Sequence, residues 1–338
     1  MIQNLVPLLI LYNATDIAIE NPFVALFIGV FATVLFQSSS TTTSLIVGMV
    51  SSGALGISGA IPMIMGANIG TTVTNTIVSV GHINKGNEFK RAFAASTVHD
   101  FFNILAVLII FPLEITFHFI EKLARASAEV LFGTMLNVDV LQAKSPIKIA
   151  VKSGAKFIES FTFDNDIFYL VISVLITFIC LVSIVKLLRS LVLEKIEAFF
   201  DQYIFKTALR AIGFGIILTI MVQSSSITTS LVVPLAGAGV LTLKKIFPFT
   251  LGANIGTTVT ALLAALTGTV AALVAAISHL LFNIFGITVI YGIPQLRAIP
   301  LFLAEKISEL AVKNKFIPIV YLLIVFGAIP LSIILLTS

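Results

Sequence analysis

QSSSTTTSL at residues 37–45 and QSSSITTSL at residues 223–231 agree at eight of nine positions, 186 residues apart. GANIGTTVT at 66–74 recurs letter for letter at 252–260, at the same offset of 186. Two long matches in one register are the mark of a duplication. A third echo pairs VHDFFN (98–103) with SHLLFN (278–283), now offset by 180. The chain therefore divides into an N-terminal stub or interfacial helix at 1–20, a repeat at 21–188, a polar connection at 189–205 and a second repeat at 206–338.

The surroundings of these motifs set the fold class. The 338 residues are 58% hydrophobic and 11% charged, against about 25% charged in soluble domains. Several apolar segments approach the roughly 20 residues needed to cross a bilayer core, and none alternates as a β-barrel strand does. The reading is an all-α polytopic membrane protein, multi-pass in a plasma or inner membrane. The net charge of +4 then reports topology rather than nucleic acid. Cys180 is the single cysteine, so no intramolecular disulfide is possible. Residues 1–20 lack the basic start of a signal peptide.

Each QSSS tip sits between two short apolar pieces, Phe23–Phe36 and 41–53 in the first half. Fourteen helical residues cover only about 21 Å, too little to span. The spacing predicts a re-entrant helical hairpin at 23–53, followed by spans at 57–81, 92–113 and 166–188. The second half predicts a hairpin at 207–240 and spans at 244–266, 270–292 and 316–336. Three spans between the hairpins would turn the second copy upside down, giving two inverted-topology repeats with the site at their interface. Charge agrees with this count. Counting Lys186 at the edge of the second segment, fourteen of the 20 Lys and Arg fall on the side holding 82–91, 187–210, 241–245 and 293–315, which marks that side as cytoplasmic. The 114–165 connection is then external and in part an amphipathic helix on the membrane surface.

Non-helical backbone at membrane depth is tolerated only where it is buried or lines a watery cavity. A hairpin tip supplies such a place: free N–H groups for an anion and free C=O groups for a cation. Hydroxyls and amides both donate and accept. A cluster of them can replace the hydration shells of a cation and an oxyanion without a costly buried charge. Gly66 and Gly70 flank Asn68, and Thr71, Thr72 and Thr74 follow. This predicts a span unwound near the midplane, its Asn and Thr facing the tip of the same repeat. The competing reading is helix packing, since GANIG has GxxxG spacing. Packing requires neither the asparagine nor three serines behind a glutamine.

His99 and Asn103 share a helix face at i,i+4, and His279 with Asn283 repeats them, so these pairs are read as helix-packing or supporting bonds between spans. Asp100 has no such echo, because its counterpart is Leu280. An intramembrane carboxylate points to an ion or proton site. The bland alternative is a carboxylate capped locally by Ser96 or Thr97. An enzyme is not indicated. No serine sits in a nucleophile elbow, adjacent His99 and Asp100 point about 100° apart on a helix, and metal-ligand spacing is absent.

The two QSSS motifs, each followed some 29 residues later by GANIGT, resemble the type II sodium-dependent phosphate cotransporter family. So do KRAFAASTVHDFFN (90–103) and LFNIFGI (281–287). The likeness runs over about 21–113 and 206–336 and suggests a bacterial member. It implies Na+-coupled uptake of inorganic phosphate with no cofactor, Na+ and phosphate as the partners and a bilayer as the solvent; oligomeric state is not implied. It further implies phosphate-binding roles for Ser38, Ser39, Ser40, Ser224, Ser225 and Ser226. Sodium-binding roles are implied for Gln37, Thr41, Asn68, Thr71, Thr72, Asp100, Gln223, Thr228, Asn254, Thr257 and Thr258. Asp100 matches the aspartate of members that move net charge. The hydroxyl tips leave two alternatives open: a Na+-coupled carrier of sulfate or a small carboxylate, and a passive anion channel.

Overall fold

A computed structural model describes residues 21–135, 204–265 and 269–337. The stub at 1–20, the span expected at 166–188, nearly all of the 189–205 connection and most of the 114–165 connection lie outside the described residues.

Every element among the described residues is helical. In chain order they are α1 (Pro22–Phe36), α2 (Ser39–Ser51), α3 (Ile57–Gly70), α4 (Val73–Val80), α5 (Gly86–Phe117), α6 (Phe119–Met135), α7 (Ala208–Val222), α8 (Ser225–Ala238), α9 (Leu243–Ala265), α10 (Val270–Gly286), α11 (Pro294–Lys313), α12 (Ile317–Leu323) and α13 (Ile329–Thr337). A π-helical turn at Ile287–Tyr291 prolongs α10, and another at Ile324–Ala328 joins α12 to α13. Among the described residues, four segments are long and apolar enough to cross a membrane: Gly86–Phe117, Leu243–Ala265, Val270–Tyr291 and Ile317–Leu336.

Two helix–turn–helix units occupy 22–51 and 208–238. α1 and α2 meet at Gln37–Ser38, and α7 and α8 meet at Gln223–Ser224. α1 packs along α3, and α7 packs along α9 in the same way. Glycines permit the approach. A Cβ at Gly66 would lie 1.9 Å from the carbonyl oxygen of Leu26, and one at Gly252 would lie 2.0 Å from that of Ile212. Gly29 against Met63 and Gly215 against Phe249 repeat the relation with roles reversed. The second arms cross over. α2 packs on α9 and α10 of the other half, while α8 packs on α4 and α5.

The sequence expects the GANIGTT segment of the first half to be broken, and it is: α3 ends at Gly70 and α4 starts at Val73, dividing 57–81 into helices of 14 and 8 residues. In the second copy α9 runs through the segment without interruption. The glycines serve close packing in both copies. Residues 293–315, read as a connection, contain the 20-residue helix α11, which packs against α5. Its Glu305, Lys306, Glu309 and Lys313 make it too polar to read as a span, while Pro300, Ala304, Ser308 and Ala311 form its buried stripe.

Candidate functional site

The backbone prepares both tips identically. Gln37 ends α1 at φ 54° and Gln223 ends α7 at φ 56°, the left-handed region that non-glycine residues seldom enter. The next residue returns to extended backbone and caps the following helix. Ser38 Oγ accepts the N–H of Thr41 at 3.2 Å and the Thr41 hydroxyl at 3.0 Å. Ser224 Oγ accepts the N–H of Ile227 at 3.3 Å. Thr42 and Thr228 donate their hydroxyls to the carbonyls of Ser38 and Ser224, at 3.1 and 2.9 Å. Each tip thus presents a helix N-terminus with its free N–H groups and positive dipole end. Gln37 and Thr41 are exposed, while Ser39, Ser40, Ser225 and Ser226 are buried.

The break between α3 and α4 connects the two tips. Thr74 donates to Gln37 Oε1 at 3.3 Å. Ser226 of the other tip donates its hydroxyl to the Thr71 carbonyl at 3.0 Å. Asn75 Nδ2 donates to Thr229 Oγ1 at 2.8 Å, and Ser230 Oγ donates to Asn75 Oδ1 at 2.9 Å. One stretch, 71–75, therefore touches QSSS elements of both halves. Gln223 Oε1 is buried and has no hydrogen-bond donor among the described residues, an oxygen left over for a ligand.

The side chains of Asn68 and Asn254 join a buried network with the two His–Asn pairs. Asn103 Nδ2 donates to the Asn68 carbonyl at 2.8 Å, and Asn283 Nδ2 reaches the Asn254 carbonyl at 3.5 Å. His99 Nε2 lies 2.6 Å from Asn254 Oδ1, and His279 Nε2 lies 3.4 Å from Asn68 Oδ1. An amide oxygen only accepts, so both imidazoles carry their proton on Nε2. Asn254 Nδ2 also donates to Asn103 Oδ1 at 2.8 Å. Each pair holds its own repeat's asparagine by the carbonyl and the other repeat's by the side chain.

The threonines expected to bind sodium mostly turn back on their own helices. The hydroxyls of Thr71, Thr72, Thr257 and Thr258 donate to the carbonyls of Ala67, Ile69, Ala253 and Ile255 at 2.7–3.3 Å. Such hydroxyls keep their lone pairs for a cation. Asp100 is fully buried on α5, and its partner is the phenol of Tyr321, which donates to Oδ2 at 2.9 Å. Local capping is excluded, because Ser96 and Thr97 donate instead to the Phe93 carbonyl. Asn75, Thr229, Ser230 and Tyr321 were not singled out by the sequence. For Asn75 a signal existed: its counterpart in the second copy is Ala261, the same break in symmetry that marks Asp100.

The family described as Na+/Pi-cotransporter matches residues 10–138 and 176–337. Sodium-dependent phosphate transport protein 2B of Homo sapiens is 34% identical over 93% of this chain and 59% of its own length. Sodium-dependent phosphate transport protein 2A of Ovis aries is 34% identical over 92% of this chain and 60% of its own length. The protein 2A of Rattus norvegicus is 33% identical over the same shares. The chain thus spans about 60% of the length of these curated relatives. No solved structure matches it. The duplicated tips, and a match that covers most of the chain, lead to one assignment: this chain belongs to the Na+/Pi-cotransporter family.

Proposed function

We propose that the chain is a secondary active symporter, coupling Na+ influx to uptake of inorganic phosphate as HPO4 2− by alternating access. The observation that carries this reading is the 71–75 stretch bonded to both tips, which brings two hydroxyl-rich helix N-termini against one broken helix. In this reading the helix–turn–helix units are re-entrant, the repeats are inverted in the bilayer of a plasma or inner membrane, and the site lies between them. The tip N–H groups and the hydroxyls of Ser38, Ser39, Ser40 and Ser224, Ser225, Ser226 hold the phosphate oxygens. Ser226 is spent on Thr71 in the present arrangement, so it must exchange that bond for phosphate. Gln37, Thr41, Gln223 and Thr228, with the GANIGTT asparagines and threonines, supply oxygens for Na+.

Coupling follows from electrostatics. Neither tip sequence contains a lysine or arginine, and a dianion in a low-dielectric site without a counter-charge is prohibitive. Na+ supplies the missing charge, so each ion needs the other. Asp100 adds a further place for a cation.

The test is uptake of 32P-phosphate into proteoliposomes holding the purified chain. Accumulation against a gradient in NaCl, lost when choline replaces Na+, is expected. Uptake indifferent to Na+ would refute the symport. Excess sulfate or succinate that abolishes phosphate uptake would move the substrate to those anions. Flux that only equilibrates would make the chain a channel.

A further inference from the structure

Asp100 receives one hydrogen bond, from the Tyr321 phenol to Oδ2 at 2.9 Å. Its other oxygen, Oδ1, is buried without a hydrogen-bond partner, and no ion pair reaches the carboxylate among the described residues. A neutral phenol cannot balance a carboxylate's charge, but it can fix the carboxylate's rotation. Tyr321 is itself fixed. Its ring meets Phe93 edge-on at 6.5 Å, Phe326 edge-on at 5.9 Å and Phe101 at 6.2 Å. Phe93 and Phe101 lie on α5, and Phe326 lies in the π-helical turn that follows α12. Such turns recur at functional sites.

We propose that Tyr321 is a positioning residue for a cation at Asp100: with Oδ2 held by the phenol, Oδ1 keeps one direction, and that oxygen takes the ion. The proposal rests on the Na+ reading of Asp100 given above. It assigns to the last apolar segment, Ile317–Leu336, a part in cation binding that no hydroxyl tip provides. The ligand chemistry is a hard monovalent cation on carboxylate oxygen, with hydrogen bonding to the charged group orienting it.

The test is phosphate uptake by the reconstituted full chain as Na+ is varied, for Tyr321→Phe, Asp100→Asn and the double variant. Phenylalanine keeps the ring packing and removes only the O–H. Tyr321→Phe is expected to raise the half-saturating Na+ concentration about tenfold, the effect of one hydrogen bond to a charged group. The phosphate KM at saturating Na+ and the maximal rate should stay within about twofold, and the double variant should resemble Asp100→Asn alone. If Asp100→Asn shifts the Na+ dependence and Tyr321→Phe does not, the positioning role falls and the sodium reading stands. If Asp100→Asn changes nothing, the sodium reading falls and takes the proposal with it. Should Tyr321→Phe fail to transport, the purified chain is melted across NaCl concentrations at constant ionic strength with choline. A Na+ midpoint shifted about tenfold supports the proposal; a wild-type midpoint, or equal unfolding in both salts, overturns it.

Discussion

Asp100 and Leu280 occupy equivalent places in the two halves, on helices whose histidines each reach the other repeat's asparagine. The halves share that bond, and only one of them carries the carboxylate. A carboxylate with no exposed surface is retained only if something stabilises its charge, and on the proposed function that is a transported cation. Replacing Asp100 with glycine should then lower the charge moved per phosphate by about one while uptake continues. Current and 32P uptake measured on the same vesicles check this, and an unchanged ratio would refute the role. The sequence exposed Asp100 through the failed echo, but not Tyr321, because a tyrosine in an apolar span reads as packing and the bond closes over 221 positions. The sequence named Thr74 among the polar residues that follow Gly70, but it lies inside the repeated nonapeptide, and only the fold shows which of its copies meets a glutamine.

The identical nonapeptide GANIGTTVT ends one helix and runs through another. Pro62 and Pro248 precede the two copies at the same distance, so neither the nonapeptide nor its proline decides the break. The neighbours differ: Ser226 bonds the Thr71 carbonyl, and Asn75 binds α8 where the second copy has Ala261. Tertiary contacts thus override local preference here. Where the contacts are the same, the copies behave alike. Gly66→Ala and Gly252→Ala each place a methyl within about 2 Å of a facing backbone oxygen, an overpacking that costs about 1–3 kcal/mol or more. Both should lower the melting temperature, whereas Gly213→Ala, with nothing within 4 Å, should leave it near wild type; thermal unfolding of the three variants checks this. The α5–α11 contact is electrostatic at its edge. Lys90 and Lys306 hydrogen-bond Glu309 at 3.2 and 3.3 Å and hold its carboxyl below the ordinary value. That contribution is present above the unfolded-state value and fades as pH falls through the lowered one. α11 escaped the sequence reading because its charges resemble a cytoplasmic connection, and its buried stripe is made of small residues.

Among the described residues, the bonds between halves are of two kinds. The two His–Asn side-chain bonds, His99 to Asn254 and His279 to Asn68, are duplicated, so exchanging the roles of the two halves leaves them equivalent. The bonds of Asn75 to Thr229 and Ser230 have no duplicate, since Ala261 cannot make them. If alternating access exchanges the environments of the repeats, as inverted repeats allow, duplicated bonds stabilise both states and single ones stabilise only the state that contains them. Two buried hydrogen bonds at about 1 kcal/mol each would shift a two-state population by roughly tenfold or more. Asn75→Ala should therefore redistribute the states without abolishing the fold. Thr41 and Ile227 stand at equivalent, exposed positions of the two tips, so single cysteines there, with Cys180 replaced by serine, report each tip's accessibility to a thiol reagent. In Asn75→Ala the ratio of the two labelling rates should change by about tenfold. A ratio that stays at the parent value would mean that the Asn75 bonds persist in both states, and that the asymmetry of the break does not choose between them.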